Sequence, residues 1–123
     1  MKKSIMDTKA GKSVGFLGLK TSQFLYLSTM GWRSGKQHKI EIWFVEYGGK
    51  YYVISERHEQ AHWVQNIIRN PKISFAVGNN NTFEGTARLV DQDKDPELAA
   101  LVSKLMDAKY GWSEGLIIEL ASP

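Results

Sequence analysis

The residues best suited to chemistry in this chain lie in a short polar turn, Gly31-Trp32-Arg33-Ser34-Gly35-Lys36-Gln37, between two apolar runs. Two glycines, a hydroxyl and two cations share its seven positions. Glycine lets backbone amides point into a turn, and a serine hydroxyl and a guanidinium add further donors, as in sites that hold a phosphate or carboxylate. The turn therefore predicts the anionic end of a cofactor site, although a purely structural glycine hairpin fits the same residues.

A second pattern, His58-Glu59-Gln60-Ala61-His62, fits the H-E-x-x-H arrangement of zinc hydrolases. On one helix the two histidines would share a face, with Glu59 as general base. The pattern sits at a predicted helix start, however, and Gln65 and Ile68 stand where the longer zinc motif needs a glycine and a third histidine. We therefore expect no metal site. No serine lies in a nucleophile elbow either, so we nominate no catalytic residue.

The composition of the chain limits the classes of protein to which it could belong. With 123 residues, 42% of them hydrophobic and 24% charged, the chain is expected to be one soluble globular domain. No apolar run is long enough to span a membrane. The absence of cysteine excludes disulfides, iron–sulfur ligation and thiol catalysis. A cytoplasmic location is the default expectation.

The net charge of +3 is unevenly placed along the chain. Eight Lys and Arg residues precede Glu41, with Asp7 the one carboxylate among them. A basic end of this kind suits a polyanionic small molecule, a membrane surface or nucleic acid, or is a solvated arm. Four Trp, five Tyr and five Phe also allow base stacking on a single-stranded nucleic acid. The charge excess is small and no nucleic-acid motif is visible, so nucleic acid and membrane are not the expected partners.

The hydrophobic pattern predicts a mainly β (α+β) fold. Period-two alternation and turn signals predict six strands, at 24–29, 38–47, 51–55, 73–77, 82–90 and 115–120. Apolar residues at helical spacing predict two helices, at 59–70 and from Asp95-Pro96 to Tyr110-Gly111. Residues 1–22 form an N-terminal arm or short helix, and residues 23–123 form a small antiparallel barrel with helices over its openings.

Several segments together resemble the split β-barrel family that binds flavin and deazaflavin, which includes deazaflavin-dependent nitroreductases, quinone reductases and relatives of pyridoxamine 5'-phosphate oxidase. The first is the turn, read as Thr29-x-Gly31-x-Arg33-Ser34-Gly35-Lys36, followed by the strand IEIWFVEYGGKYYVIS. The second segment, Trp63-Val-x-Asn66-Ile-x-x-Asn70-Pro71, resembles the family's W-x-x-N-L-x-x-N-P helix. Two shorter segments are similar to one branch of the family, and these are Phe83-Glu84-Gly85-x-Ala87-Arg88 and Lys109-Tyr110-Gly111-Trp112.

The resemblance implies a six-stranded antiparallel split β-barrel with two flanking helices, and a homodimer with one cofactor at each subunit interface. It implies an oxidoreductase that transfers hydride from the reduced cofactor to a small electrophile such as a quinone or nitro compound, without an essential acid or base from the protein. The resemblance implies that the cofactor-binding residues lie in the turn, which binds the phosphate, on the strand that follows it, beside the cofactor ring and on the first helix. These residues are Arg33, Ser34, Gly35, Lys36, His38, Lys39, Ser55, Trp63 and Asn66.

The cofactor is implied to be FMN or the deazaflavin coenzyme F-420. Many deazaflavin users have a glycine pair after the serine that matches Ser55, whereas this chain reads Glu56-Arg57-His58-Glu59. Bulkier residues there would narrow a ring pocket or favour another cofactor. The basic arm suits the polyglutamate tail of the deazaflavin. A flavin-binding storage protein without turnover is the alternative function.

Overall fold

The computed structural model describes residues 23–31 and 33–122, so the predicted arm at 1–22 and Trp32 lie outside the described residues. Within these ranges no helix is both long and apolar enough to cross a membrane. The described chain forms seven strands and two α-helices: β1 (Leu25–Met30), β2 (Gln37–Ile42), β3 (Val45–Tyr47), β4 (Lys50–Ser55), α1 (His62–Arg69), β5 (Lys72–Val77), β6 (Thr82–Val90), α2 (Pro96–Tyr110) and β7 (Leu116–Ala121).

The strands form a single antiparallel sheet in the order β2-β1-β5-β6-β7-β4-β3. The two outer strands, β2 and β3, are separated in the chain by only Trp43 and Phe44. Both edges of the sheet therefore meet at this bend, and the sheet curls into a half-barrel. The predicted mainly β fold, a split barrel with two helices, is confirmed.

The count of six strands is wrong by one, because the predicted strand at 38–47 bends at Phe44 and continues on the opposite edge of the sheet. The hydroxyl of Tyr110 accepts the backbone N–H of Phe44 at 3.1 Å and lies 2.9 Å from its carbonyl oxygen. The Lys109 ammonium donates to the same carbonyl at 3.1 Å. Side chains of α2 thus satisfy the Phe44 backbone groups where the strand leaves its neighbour.

Two apolar layers hold the half-barrel together. On β4, Val53 faces the barrel interior, whereas Tyr52 and Ile54 face outward beneath α2. The interior layer also receives α1, and the outer layer receives the buried side of α2. The interior layer comprises Leu25, Leu27, Ile42, Phe44, Val53, Ala61, Trp63, Val64, Ile67, Ile73, Phe75, Val77, Ala87, Ile118 and Leu120.

The first helix is shorter than predicted. A 3-10 turn spans His58–Gln60, and Ala61 is extended at φ −69° and ψ 138°, so α1 begins at His62 and ends before Asn70-Pro71. Ile68 is 48% exposed, whereas its neighbour Ile67 is buried. The second helix has the predicted bounds, with Gly111 in the left-handed conformation at its end.

The Asp95 side chain does not bond to the α2 backbone. Its carboxylate accepts Arg88 Nη1 at 3.2 Å. The Asp95 carboxylate therefore forms an ion pair with β6 and does not cap α2.

Gly85 on β6 marks a close approach of two strands, because a Cβ there would lie 2.2 Å from the carbonyl oxygen of Ala121. We expect Gly85→Ala to destabilise the fold by about 2–3 kcal/mol, since backbone rather than a flexible side chain would have to move. Urea unfolding measures the loss. Glu84→Ala, at the exposed neighbouring position, is the control and should change stability by less than about 0.5 kcal/mol. Equal stability of the two variants would contradict the prediction.

Candidate functional site

The polar turn closes the hairpin between β1 and β2. Gly31 N–H donates to the Lys36 carbonyl at 2.7 Å, and Gly35 N–H donates to the Gly31 carbonyl at 2.7 Å. Gly35 has φ 72°, which glycine adopts without strain. The Ser34 hydroxyl accepts the Lys36 N–H at 3.1 Å. These bonds make the turn a defined structure, with Arg33 to Lys39 exposed on its outside.

Gly31 allows two polar side chains to converge over the backbone. A Cβ at this position would lie 2.8 Å from Ser34 Oγ and 3.0 Å from His38 Nε2. Both atoms therefore occupy the space that any other residue would fill. The predicted residues Ser34 and His38 are thus brought together above Gly31, and a hydroxyl and an imidazole face one point.

A buried hydrogen bond links α1 to the residue of β1 that pairs with His38. Thr29, paired with His38 across the β1–β2 ladder, is 1% exposed. Asn66 Nδ2 on α1 donates to its Oγ1 at 3.0 Å. Asn66 is also buried, so this bond fixes α1 against the strand that leads into the turn.

A cavity of ≈ 470 Å³ adjoins the turn, and Arg69 adds a further cation to it. A second cavity, of ≈ 550 Å³, lies along β1, β5 and β6, and Met30 and Asn70 line both cavities. The two cavities together leave room beside the turn for a larger molecule. The first is lined by Met30, Gly31, Gly35, Arg69 and Asn70.

The other predicted residues lie apart from this cluster. Lys39 points to the opposite face of β2, where its ammonium lies 5.5 Å from the ring centroid of Tyr26. Ser55 is buried, and its hydroxyl donates to the His58 carbonyl at 2.9 Å. Trp63 is 8% exposed and belongs to the interior apolar layer. Cofactor contact by Lys39, Ser55, Trp63 and Asn66 stays a prediction.

The H-E-x-x-H pattern does not lie on one helix. His58 is in the 3-10 turn with φ 56°, a conformation that favours glycine, whereas His62 is the first residue of α1. The extended Ala61 between them removes the shared helical face that the pattern needs. Among the described residues no cluster of three or more His, Asp or Glu residues could hold a metal ion.

The turn fits a phosphate group. Between Thr29 and Ile40 the sequence contains three Lys or Arg residues and no carboxylate, and Arg69 approaches from α1. A guanidinium binds phosphate oxygens in pairs, and a lysine adds a point charge. Contact of a cofactor phosphate with Arg33, Ser34, Gly35, Lys36 and His38 stays a prediction.

Sequence reasoning missed Arg69 and Met30 as residues around the turn. Arg69 carries the signal that could have identified it, since it is a cation at the end of the helix that also contains Asn66. Met30 carries no such signal, because an apolar residue before a turn is ordinary.

A protein-family comparison matches residues 2–113 to the family described as F420H(2)-dependent quinone reductase. A comparison with curated proteins gives no match. Among solved structures, an F420-H2 dependent reductase (FDR-A) is similar, with 22% identity, coverage of 80% of this chain and 93% of that chain, and a TM-score of 0.59.

Two further solved structures share the fold. HutZ, a heme storage protein from Vibrio cholerae, has 16% identity, coverage of 91% of this chain and 89% of its own, and a TM-score of 0.63. A pyridoxamine 5'-phosphate oxidase-like protein from Listeria innocua has 15% identity, coverage of 93% of each chain, and a TM-score of 0.65. At these identities the likeness shows the fold alone.

Proposed function

The chain belongs to the F420H(2)-dependent quinone reductase family, and from this premise we propose that it transfers a hydride from the reduced deazaflavin to a quinone or a similar small electrophile. The family match makes it an oxidoreductase that uses the deazaflavin. The transferred hydride, the acceptor and the residues involved are the proposal. The observation that carries it is the polar turn, which contains the cations Arg33 and Lys36 and whose Gly31 and Gly35 line one of two cavities that share Met30 and Asn70.

The reduced deazaflavin, when bound, supplies the hydride. The chain's own residues bind and orient the cofactor. Arg33 and Lys36 neutralise the phosphate, and Ser34 and His38 converge above Gly31. The Thr29–Asn66 hydrogen bond holds the end of β1, which leads into the turn, against α1. In this proposal the protein contributes binding and orientation and no acid or base, so turnover depends on placement of the reactants.

The proposed assembly is a homodimer with a cofactor at each subunit interface. A solved structure described as a domain-swapped dimer has 18% identity to this chain, covers 93% of it and 97% of its own length, and has a TM-score of 0.59. A subunit interface would cover the exposed turn and exclude water from the reacting atoms. A cytoplasmic location, where the deazaflavin would be available, is part of the same proposal.

Titration of the purified protein with the deazaflavin and then with FMN, followed by absorbance and fluorescence, tests the proposal. We expect micromolar binding of the deazaflavin, weaker binding of FMN, and consumption of the reduced deazaflavin when a soluble quinone is added. Binding without consumption would identify a storage protein instead. Tighter binding of FMN would assign the turn to the other cofactor, and no binding of either would refute the function.

A further inference from the structure

An aromatic cavity of ≈ 620 Å³ lies at the opposite end of β1 from the polar turn. Its walls come from β3, β4, the β5–β6 turn and the last turns of α2. Three rings line it, those of Phe44, Tyr51 and Phe83. The Phe44 and Tyr51 centroids are 5.9 Å apart, and Phe83 is 45% exposed at the rim. An aromatic compound would therefore find ring partners here.

One amine lines this aromatic cavity. Lys109, in the last turn of α2, places Nζ 3.9 Å from the centroid of Phe44 and donates to the Phe44 carbonyl at 3.1 Å. Lys104, five residues earlier on the same helix, is exposed. The helix α2 therefore carries one lysine that contacts aromatic rings, Lys109, and one exposed lysine, Lys104, with which it can be compared.

Burial lowers the pKa of Lys109 to about 8, and the carboxylate of Glu46 on β3 opposes this shift. Among the described residues the phenols of Tyr51 on β4 and Tyr110 on α2 also lie nearby, and burial raises the pKa of the Tyr51 phenol. At pH 8 about half of the Lys109 amine is neutral, against roughly 1 in 250 for a lysine in water. A desolvated neutral amine is a nucleophile.

We propose that Lys109 forms an imine with aromatic aldehydes that bind in the aromatic cavity. The amine nitrogen attacks the carbonyl carbon and the C=O double bond opens to a carbinolamine. Loss of water then leaves a C=N bond, with both amine protons departing in the overall exchange. The step needs no oxidant or reductant. The bond from Lys109 to Phe44 explains how the amine is held, and the ring-lined cavity supplies the place for its partner.

Reaction of the purified protein with benzaldehyde and cyanoborohydride at pH 8 tests the proposal, because the reductant converts the imine into a stable benzyl adduct. Peptide mass spectrometry compares the labelling rate at Lys109 with that at Lys104. We expect Lys109 to react at least tenfold faster, with a rate that reaches half its maximum near pH 8. Equal rates, or a rate at Lys109 that still rises at pH 10, would overturn the proposal.

Two variants separate the cavity from the amine. Ala108→Phe places a ring at an exposed position that lines the aromatic cavity, and should slow benzaldehyde labelling of Lys109 at least fivefold. Formaldehyde, which needs no aromatic pocket, should still methylate Lys109 in this variant. Glu46→Gln removes the opposing charge and should move the labelling midpoint to lower pH. Unchanged benzaldehyde labelling in Ala108→Phe would show that the cavity has no role and would refute the binding site.

Discussion

Replacing Arg33 with alanine is expected to weaken deazaflavin binding by about 1.5–3 kcal/mol, a loss of roughly 10- to 150-fold in affinity. Arg33 is exposed on the turn, so its removal should leave the fold intact. The loss arises because the Arg33 guanidinium would contribute charge-assisted hydrogen bonds to the phosphate oxygens, which alanine cannot form. Fluorescence titration of the protein with the oxidised cofactor measures the effect.

The control for this experiment is Lys104→Ala, which removes the same net charge from the exposed side of α2. It should change the affinity by less than twofold at physiological ionic strength, because Lys104 is exposed and salt screens the interactions of exposed charges. Arg33→Lys should recover part of the affinity, since a point charge replaces a forked donor. An unchanged dissociation constant in Arg33→Ala would show that the turn is structural.

Replacing Arg88 with glutamine is expected to destabilise the protein by about 2–3 kcal/mol at neutral pH. Arg88 binds the buried carboxylate of Glu119 through Nε at 3.0 Å and Nη2 at 3.1 Å, and the Tyr52 hydroxyl donates to the same carboxylate at 2.9 Å. Removing one partner of a buried pair commonly costs 3–5 kcal/mol. Because the Arg88 side chain is 50% exposed, solvent screening lowers the expected value.

The pH dependence of this loss follows from Glu119. Burial opposes ionisation of the carboxyl, but hydrogen bonds from Arg88 and Tyr52 outweigh it and lower the pKa below the ordinary value. A carboxyl with a lowered folded-state pKa contributes stability that is present above its unfolded pKa and is lost as the pH falls through the folded value. The deficit of Arg88→Gln should therefore be largest near pH 7 and shrink below about pH 4.

Urea unfolding at pH 7 and pH 3 measures this difference. Lys94→Gln, an exposed cation in the neighbouring loop, is the charge control and should cost less than about 0.5 kcal/mol at either pH. Asp95→Asn removes only the exposed ion pair to Arg88 and should cost less than about 1 kcal/mol. An equal deficit of Arg88→Gln at both pH values would show that Glu119 ionisation is not involved.

The candidate site was partly predictable from the sequence. The composition of the turn predicted a cationic hairpin, and the structure brings Ser34 and His38 together over Gly31. The burial of Ser55, Trp63 and Asn66 was not predictable from their motif. A motif reports which residues recur together, whereas burial depends on the elements that pack over each one.

The sequence by itself determined the local elements, because period-two alternation and the Asp95-Pro96 and Gly111 signals act within a few residues. Only the tertiary structure decided where one predicted strand breaks, because Phe44 depends on Tyr110, 66 positions away. The same packing decided that Lys109 lies among aromatic rings while Lys104 lies in water. Contacts between residues this far apart in the chain cannot be predicted from local sequence, since they form only when distant elements pack together.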